Sequence, residues 1–541
     1  MTGTGSLLRL YARTVRRQVI IWVLCSLVLV PASVVAIKEA YPDAGALQAR
    51  AQLLDNPAAV MMTGPMFAQD EYTLWAMVAN ELALYLYVPA AIMGILLMVR
   101  LTRAEEESGR LEMVRALPLG RQAPALAALI AVAVASGAVG AAVAVGALLT
   151  GGAVPDSLAL GAATAVIGLL FGALAAVCAQ IAEHAGTASG MALGVLALAF
   201  MVRGIGDVID RQGSWLSWFS PLAWAQQTRA YVDLRWWPLA LALAVALGLL
   251  ALAGALSHRR DLGAGLRAAP TGRAVAAPGL VMPRGLADRL LRGSFTAWLI
   301  GLLLFAFAFG MLANSLEGMI SEMPMVQEWI PLDLEDLVRS FAAVALTMLS
   351  LGPSGLLVAG VMRLRTEETT GRLAALGIAG RSRTGIAGEW LLVLAIWWIA
   401  GQALIGAALG AGVWLATRDA ESNAAQGAGS PLTGFTELAL ASPAYLPAIA
   451  VCGAIAFALY GLHPRLTPLA WITVVWAAIV AFLGGLLDLP GWLAGLSPLH
   501  HVPLTPAEDV ESAPLLVLSV LAAALVAVGM WGLRRRDLVE S

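Results

Sequence analysis

Long apolar runs and short polar breaks alternate along the whole chain. A helix that crosses a bilayer needs about 20 apolar residues, because the hydrocarbon core is roughly 30 Å thick and each residue rises about 1.5 Å. Lipid leaves backbone polar groups only helices or closed barrels as partners. The pattern predicts an all-α polytopic membrane protein with twelve transmembrane helices, at about 18–37, 80–100, 124–149, 158–181, 186–203, 238–257, 295–316, 339–362, 389–415, 444–462, 467–487 and 514–533.

The polar break after the second apolar run has a second copy later in the chain. "RAEEESGRL" at 103–111 matches "RTEETTGRL" at 365–373 at six of nine positions, with a constant offset of 262. Charges that only hold loops in water would explain one such break, but they do not require the same motif twice. The matched pairs are Arg103 and Arg365, Glu105 and Glu367, Glu106 and Glu368, Gly109 and Gly371, Arg110 and Arg372, and Leu111 and Leu373.

Two further matches extend the repeat. "SWLSWFSPLAW" at 214–224 parallels "GWLAGLSPLHH" at 491–501, and "HRRDL" at 258–262 parallels "RRRDL" at 534–538. These matches predict two tandem parallel six-helix repeats, 1–261 and 286–541, joined by a cytoplasmic Gly/Ala/Pro linker at 262–285. Parallel repeats leave a pathway between the halves, which is typical of a transporter.

Composition and charge agree with a membrane location and suggest an orientation. The chain is 60% hydrophobic and 13% charged, whereas soluble domains are about 25% charged. Of the 33 Lys and Arg residues, 25 fall on the side that holds the two Glu-Glu motifs, and 8 fall on the other. Loops rich in these residues stay in the cytoplasm. We therefore expect a multi-pass protein of the cytoplasmic (plasma) membrane with both termini in the cytoplasm.

The first apolar run follows several arginines and resembles a secretory signal, with "SVVA" as a cleavage site. The same basic-then-apolar layout returns at 289–310, where no signal peptide could be cleaved. Both runs are therefore interpreted as helices that remain in the protein.

ATP hydrolysis by this chain is not expected. A phosphate-binding loop needs Gly-x-x-x-x-Gly-Lys-Ser/Thr, and the only lysine, Lys38, has no such glycine pattern before it. A membrane-embedded enzyme is an alternative of another class, but the five histidines are scattered and assemble no recognisable catalytic set. No catalytic residue and no metal ligand is predicted.

The layout resembles the permeases of the ABC type-two exporter superfamily, with a basic N-terminal helix, six spans and a Glu-rich segment after the second. Two fused units, "DNPAAVMMTGP" at 55–65 and the paired "SPL" segments resemble actinobacterial permeases that export polyketide antibiotics and related drugs. The resemblance covers essentially the whole chain. It implies the permease subunit of an ATP-driven exporter for hydrophobic or amphipathic small molecules. The implied partners are the lipid bilayer and two copies of a separate P-loop ATPase that holds ATP and Mg. No cofactor in this chain and no nucleic-acid partner are expected.

The resemblance also implies that the two Glu-Glu motifs are coupling helices that dock into the ATPase subunits. The docking residues would be Arg103, Glu105, Glu106, Gly109, Arg110 and Leu111, with Arg365, Glu367, Glu368, Gly371, Arg372 and Leu373. Downstream the copies differ, because Glu112 and Pro118 have no equivalents in the second, so unequal docking is expected. The basic segments 7–17 and 286–294 are implied to lie along the membrane surface. Helical spacing of Leu7, Tyr11 and Val15 supports this for the first.

An ion-coupled secondary multidrug transporter is the competing transporter class. Such proteins usually need ionisable groups near the middle of their spans. Here Glu81, Glu317 and Glu389 fall at predicted span ends, and Arg203 and Arg339 fall at outer boundaries, where they are expected to anchor to headgroups.

A pathway for bulky apolar molecules is expected to be lined by aromatic and methionine side chains. The candidates are Tyr85, Tyr87, Met93 and Met98 on the second span and Phe305, Phe309, Met311 and Asn314 on the seventh, although packing explains each equally well. The outer segments 39–79, 204–236 and 487–513 are interpreted either as re-entrant helices that end at "SPL" or as surface loops.

Overall fold

The structure is a computed structural model. It describes residues 3–54, 57–116, 120, 122–210, 212–261, 263–266, 274–311, 313, 337–378, 380–423, 431–483 and 490–536. The chain divides into two compact units, Met1–Gly272 and Arg273–Ser541. Each unit has its own core of buried apolar side chains.

The first unit contains long apolar helices joined by short ones. The helices are α1 Thr4–Ala40, α2 Ala44–Leu53, α3 Pro57–Thr63, α4 Leu74–Met77, α5 Ala83–Leu101, α6 Arg103–Glu107, α7 Arg110–Arg115, α8 Ala123–Leu149, α9 Val154–Ile181, α10 Ala185–Ile209, α11 Pro221–Gln226 and α12 Trp237–Ser257. A π-helical turn over Val78–Leu82 joins α4 to α5.

The second unit follows a similar order of elements. Its helices are α13 Pro283–Met311, α14 Leu337–Leu349, α15 Leu351–Thr369, α16 Arg372–Ile378, α17 Arg383–Asn423, α18 Pro431–Ala441, α19 Leu446–Leu462, α20 Ala470–Leu483, α21 Gly491–Ala494 and α22 Ser512–Arg535. A short 3-10 turn at Pro278–Val281 precedes α13, within the predicted linker.

The prediction of an all-α polytopic membrane protein is confirmed. Within the described residues, twelve helical stretches are long and apolar enough to cross a membrane, and each contains or overlaps one predicted run. They are Thr4–Ala40, Leu74–Glu107, Ala123–Leu149, Val154–Ile181, Ala185–Ile209, Trp237–Ser257, Pro283–Met311, Val338–Thr369, Arg383–Ala416, Phe435–Leu462, Pro464–Phe482 and Ser512–Arg535.

The basic segments differ from the surface-lying helices expected for them. Residues 7–17 continue without a break into the first span as part of α1, and residues 286–294 do the same in α13. The apolar face of Leu7, Tyr11 and Val15 is buried in the protein core, with 3–5% exposure. An apolar stripe at helical spacing fits a protein core as well as a membrane surface, and here the core takes it.

Close contacts between small residues set the spacing of the long helices. A Cβ added at Gly94 of α5 would lie 2.0 Å from the backbone oxygen of Gly168 in α9. One added at Gly461 of α19 would lie 2.0 Å from the oxygen of Gly529 in α22. Glycine at these positions lets the helix backbones approach closely, as in many membrane bundles.

Each "SPL" segment follows one short helical turn and begins another. The Ser220 side chain accepts a hydrogen bond from the Leu222 amide at 3.3 Å, and Pro221 is the first residue of α11. Pro498 likewise begins a 3-10 turn that ends at His501. Proline favours a first helical position because no amide hydrogen is needed there.

Arg203 is not a headgroup anchor, because its side chain is fully buried. Its guanidinium binds Asp207 at 3.1 Å, the Gln226 side-chain oxygen at 3.3 Å and the Met61 carbonyl oxygen. Ser217 donates a further hydrogen bond to Asp207 at 2.6 Å. This network ties α3, α10 and α11 together at one end of the first unit.

Candidate functional site

Each Glu-Glu motif folds into two helical segments that meet at its glycine. In the first unit α6 ends at Glu107 and α7 begins at Arg110, and Gly109 between them has φ 73°. In the second unit α15 ends at Thr369 and α16 begins at Arg372, with φ 75° at Gly371. A positive φ is readily adopted only by glycine. The motif glycine therefore makes a sharp turn at the end of a membrane-spanning stretch.

An ion pair closes this turn in both units. Arg110 binds Glu105 at 3.0 Å, and Arg372 binds Glu367 at 2.7 Å. The two arginine side chains are 59% and 58% exposed, so each pair has one member in water. The motif leucines, Leu111 and Leu373, point the other way and are buried.

The second acid of the first motif is buried and heavily bonded. Both oxygens of Glu106 accept from Arg260, at 2.6 and 2.8 Å. Glu106 also accepts from Arg103 at 2.9 Å and from the Gly263 amide at 2.7 Å. Charged donors on both oxygens stabilise the carboxylate although its side chain is only 4% exposed.

The equivalent acid of the second motif, Glu368, is held in the same way. It accepts from Arg536 at 2.8 Å and from the Tyr460 hydroxyl at 2.5 Å, and a second Arg536 nitrogen binds its other oxygen. Burial alone lowers the pKa of Arg536, but the hydrogen bonds and charge of Glu368 outweigh burial and raise that pKa above its ordinary value. The ion pair is therefore strongly held.

Arg260 and Arg536 occupy the same place in "HRRDL" and "RRRDL". We call each pair of buried glutamate and bidentate arginine a clasp: Glu106 with Arg260, and Glu368 with Arg536. The clasp joins the start of the motif to the residues that follow the sixth span of its unit. The sequence analysis found the Glu-Glu motif and the "RRDL" segment in each repeat but did not predict that the two meet. The signal for this contact was that both segments occur once in each repeat.

The first clasp has an additional layer that the second lacks in the described residues. Arg103 is 1% exposed and donates to the carbonyl oxygens of Glu183 at 2.8 Å and Ala264 at 3.2 Å. The Leu266 amide donates to the Gln180 carbonyl at 3.0 Å, so the start of the linker is bound into this site. The counterpart of Arg103, Arg365, keeps a buried Nε without a hydrogen-bond partner.

The predicted pathway residues that the structure describes lie in different environments. Tyr87, Met93 and Met98 are at most 2% exposed and pack in the first core, whereas Tyr85 is 60% exposed. Phe305 is 43% exposed and its ring contacts that of Phe309 at a tilted angle; Met311 is half-buried, and Asn314 lies outside the described residues. Their role in transport stays a prediction. No group of three or more His, Cys, Asp or Glu side chains suited to a metal occurs in the described part of the chain.

Comparison with known proteins identifies the family. A family model described as "Multidrug efflux system permease Rv1217c, C-terminal domain" matches the chain twice, over residues 5–259 and 280–534. The chain belongs to this family of multidrug efflux permeases. The permease is also 35% identical, over 547 aligned residues, to the "Multidrug efflux system permease protein Rv1217c" of Mycobacterium tuberculosis, with 99% of this chain and 95% of that protein covered. Each matched region of the permease contains one Glu-Glu motif.

Proposed function

We propose that the permease is the membrane subunit of an ATP-driven ABC exporter of hydrophobic or amphipathic small molecules, including drugs. Two copies of a separate P-loop ATPase would bind ATP and Mg and dock on the two Glu-Glu motifs. The protein would lie in the cytoplasmic membrane with both termini and both motifs in the cytoplasm. Family membership and the name of the mycobacterial relative support drug export.

The clasp carries the argument for coupling. In the first unit, α7 begins four residues after the buried Glu106, and Arg260, which follows the end of α12, binds this glutamate. Arg260 also donates to the Gln180 side chain of α9 at 2.7 Å. A partner that moves α7 would therefore pull on three membrane helices, namely α5, α9 and α12. Charge-assisted bonds in a buried setting are strong enough to transmit such a movement.

Exposed groups on the short helices offer a surface to that partner. Met113 on α7 is 68% exposed, and Ile378 on α16 is 89% exposed. The motif arginines Arg110 and Arg372 lie in water on the same two helices. A short helix that exposes both apolar and basic side chains is suited to a protein cleft with an apolar floor and an acidic rim.

The partner is tested by gentle purification of the tagged permease from its native membrane, followed by mass spectrometry. We expect a P-loop ATPase at two copies per permease chain, and ATP-dependent drug uptake into inside-out vesicles. Export that runs on an ion gradient, without ATP and without a co-purified ATPase, would overturn the proposal in favour of an ion-coupled transporter.

Docking is tested by charge reversal at the motif ion pairs. Glu105→Arg and Glu367→Arg are expected to abolish drug-stimulated ATP hydrolysis and transport. The swap Glu105→Arg with Arg110→Glu restores the internal ion pair with opposite polarity, so its fold is preserved while the surface charge is rearranged. An inactive but folded swap supports docking; a fully active swap contradicts it. Arg16→Glu, an exposed reversal on α1, is the matched control.

A further inference from the structure

The second unit contains a cavity of about 500 Å³ beside its clasp. Four membrane-spanning stretches contribute a residue near their ends: Leu364, Ile386, Tyr460 and Leu533. The short helix α16 closes one side with Leu373, Ala374 and Ile378. The volume falls in the range of small-molecule sites, roughly 300–1,000 Å³. The cavity therefore lies where the apolar spans meet water.

The lining has an apolar floor and a basic rim. The floor is formed by four apolar side chains that are each at most 7% exposed: Leu364, Leu373, Ile386 and Leu533. Arg381 and Arg383 are exposed at the rim. Arg383 donates to the Arg536 carbonyl oxygen at 2.6 Å, which holds its guanidinium beside the clasp. No acidic side chain lines this cavity among the described residues.

The equivalent cavity of the first unit has a different chemistry. It measures about 140 Å³ and is lined by the clasp residues Glu106 and Arg260 together with Asp261, Gln122 and Gln180. This lining is unsuited to an anion with an apolar chain, because the two acids and two amides would lose their hydration without gaining a hydrogen-bond partner from the ligand. Of these two cavities beside the clasps, as lined by the described residues, only that of the second unit has an apolar floor and a basic rim.

We propose that this cavity binds an anionic glycerophospholipid of the adjoining leaflet, which is the cytoplasmic leaflet in the orientation proposed above. One acyl chain would fill the apolar floor, and the phosphate would lie against Arg381 and Arg383. Basic pockets at the ends of transmembrane helices are suited to anionic headgroups, and arginine binds phosphate through paired donors. The acyl chain of the lipid would contact Tyr460, whose hydroxyl donates a hydrogen bond to Glu368. The bound lipid would therefore brace the second clasp and leave the first untouched.

The test uses the full-length permease in nanodiscs of phosphatidylcholine with a minor fraction of phosphatidylglycerol carrying a photoactivatable group in one acyl chain. After illumination, cross-links are mapped by peptide mass spectrometry. We expect labelling of the segment 373–387, and competition by unlabelled phosphatidylglycerol but not by phosphatidylcholine or inorganic phosphate. Each basic residue near a membrane surface contributes about fivefold in affinity, equivalent to about 1 kcal/mol, so Arg381→Gln with Arg383→Gln should weaken labelling roughly 25-fold.

Two further variants separate the site from general effects. Ala387→Phe fills the cavity without a change in charge and should also abolish labelling, whereas Arg13→Gln with Arg16→Gln removes two exposed charges elsewhere and should not. Equal labelling of the wild type and both cavity variants would overturn the proposal, as would equal competition by phosphatidylcholine or by free phosphate. None of these readouts needs ATP or the ATPase. The lipid-site proposal can therefore be refuted while the exporter proposal stands, and the exporter proposal can be refuted while the lipid-site proposal stands.

Discussion

Replacement of Arg260 by methionine tests whether the first clasp holds the motif to the membrane helices. Methionine keeps most of the apolar stem of the side chain and removes the guanidinium. The Glu106 carboxylate then loses two hydrogen bonds, at 2.6 and 2.8 Å, in a buried position. It keeps Arg103 and the Gly263 amide as partners.

The expected size of the effect follows from this geometry. Removal of one partner from a buried ion pair costs about 3–5 kcal/mol, because the other charge is left without compensation. Arg260 is 11% exposed and Glu106 4%, so solvent screening is weak at this pair. Since Arg103 still compensates part of the charge, we expect the lower end, about 3 kcal/mol. A unit of this size loses about 2–4 °C in Tm per kcal/mol, so the Tm should fall by roughly 6–12 °C.

Thermal unfolding in detergent, followed by tryptophan fluorescence, measures this change. The matched control is Arg259→Met, which removes an exposed neighbouring arginine and should change stability by less than about 0.5 kcal/mol. The double variant Glu106→Gln with Arg260→Met should be less destabilised than the sum of the single variants, because each single variant already loses the Glu106–Arg260 interaction. A Tm for Arg260→Met equal to that of the control would refute the clasp as a stabilising contact.

Three other predictions concern stability: the first two use the same unfolding assay, and the third uses the yield of folded protein. Gly109→Ala should lower stability by about 1–2 kcal/mol, because alanine at φ 73° is strained; an unchanged Tm would mean that the turn differs in solution. Asp207→Asn should cost about 3–5 kcal/mol by leaving the buried Arg203 charge uncompensated, and a loss below 1 kcal/mol would contradict this burial. Gly94→Ala should prevent close packing of α5 on α9 and sharply reduce the folded yield, whereas Gly248→Ala, with open space around it, should not; equal yields would argue against the contact.

The sequence alone was sufficient for the helical class and for all twelve spans. A segment of about 20 apolar residues has few options in lipid, because its backbone polar groups must bond within the segment. The duplication was also visible, since six identical positions in nine recur at one offset. The turn at Gly109 and Gly371 was not predicted from the sequence, although glycine is the residue type that tolerates a positive φ.

Only the tertiary structure decided which side chains meet. Glu106 and Arg260 are 154 positions apart, and no local pattern brings them together. The sequence also did not show which face of each span is buried in the protein and which faces lipid. Lipid and protein core are both apolar, so both environments select the same residues. Tyr85 and Tyr87, two residues apart on α5, are 60% and 2% exposed. Apolar length fixes a helix in the membrane, but neighbouring helices determine which of its side chains are buried, which charges pair and where a cavity remains.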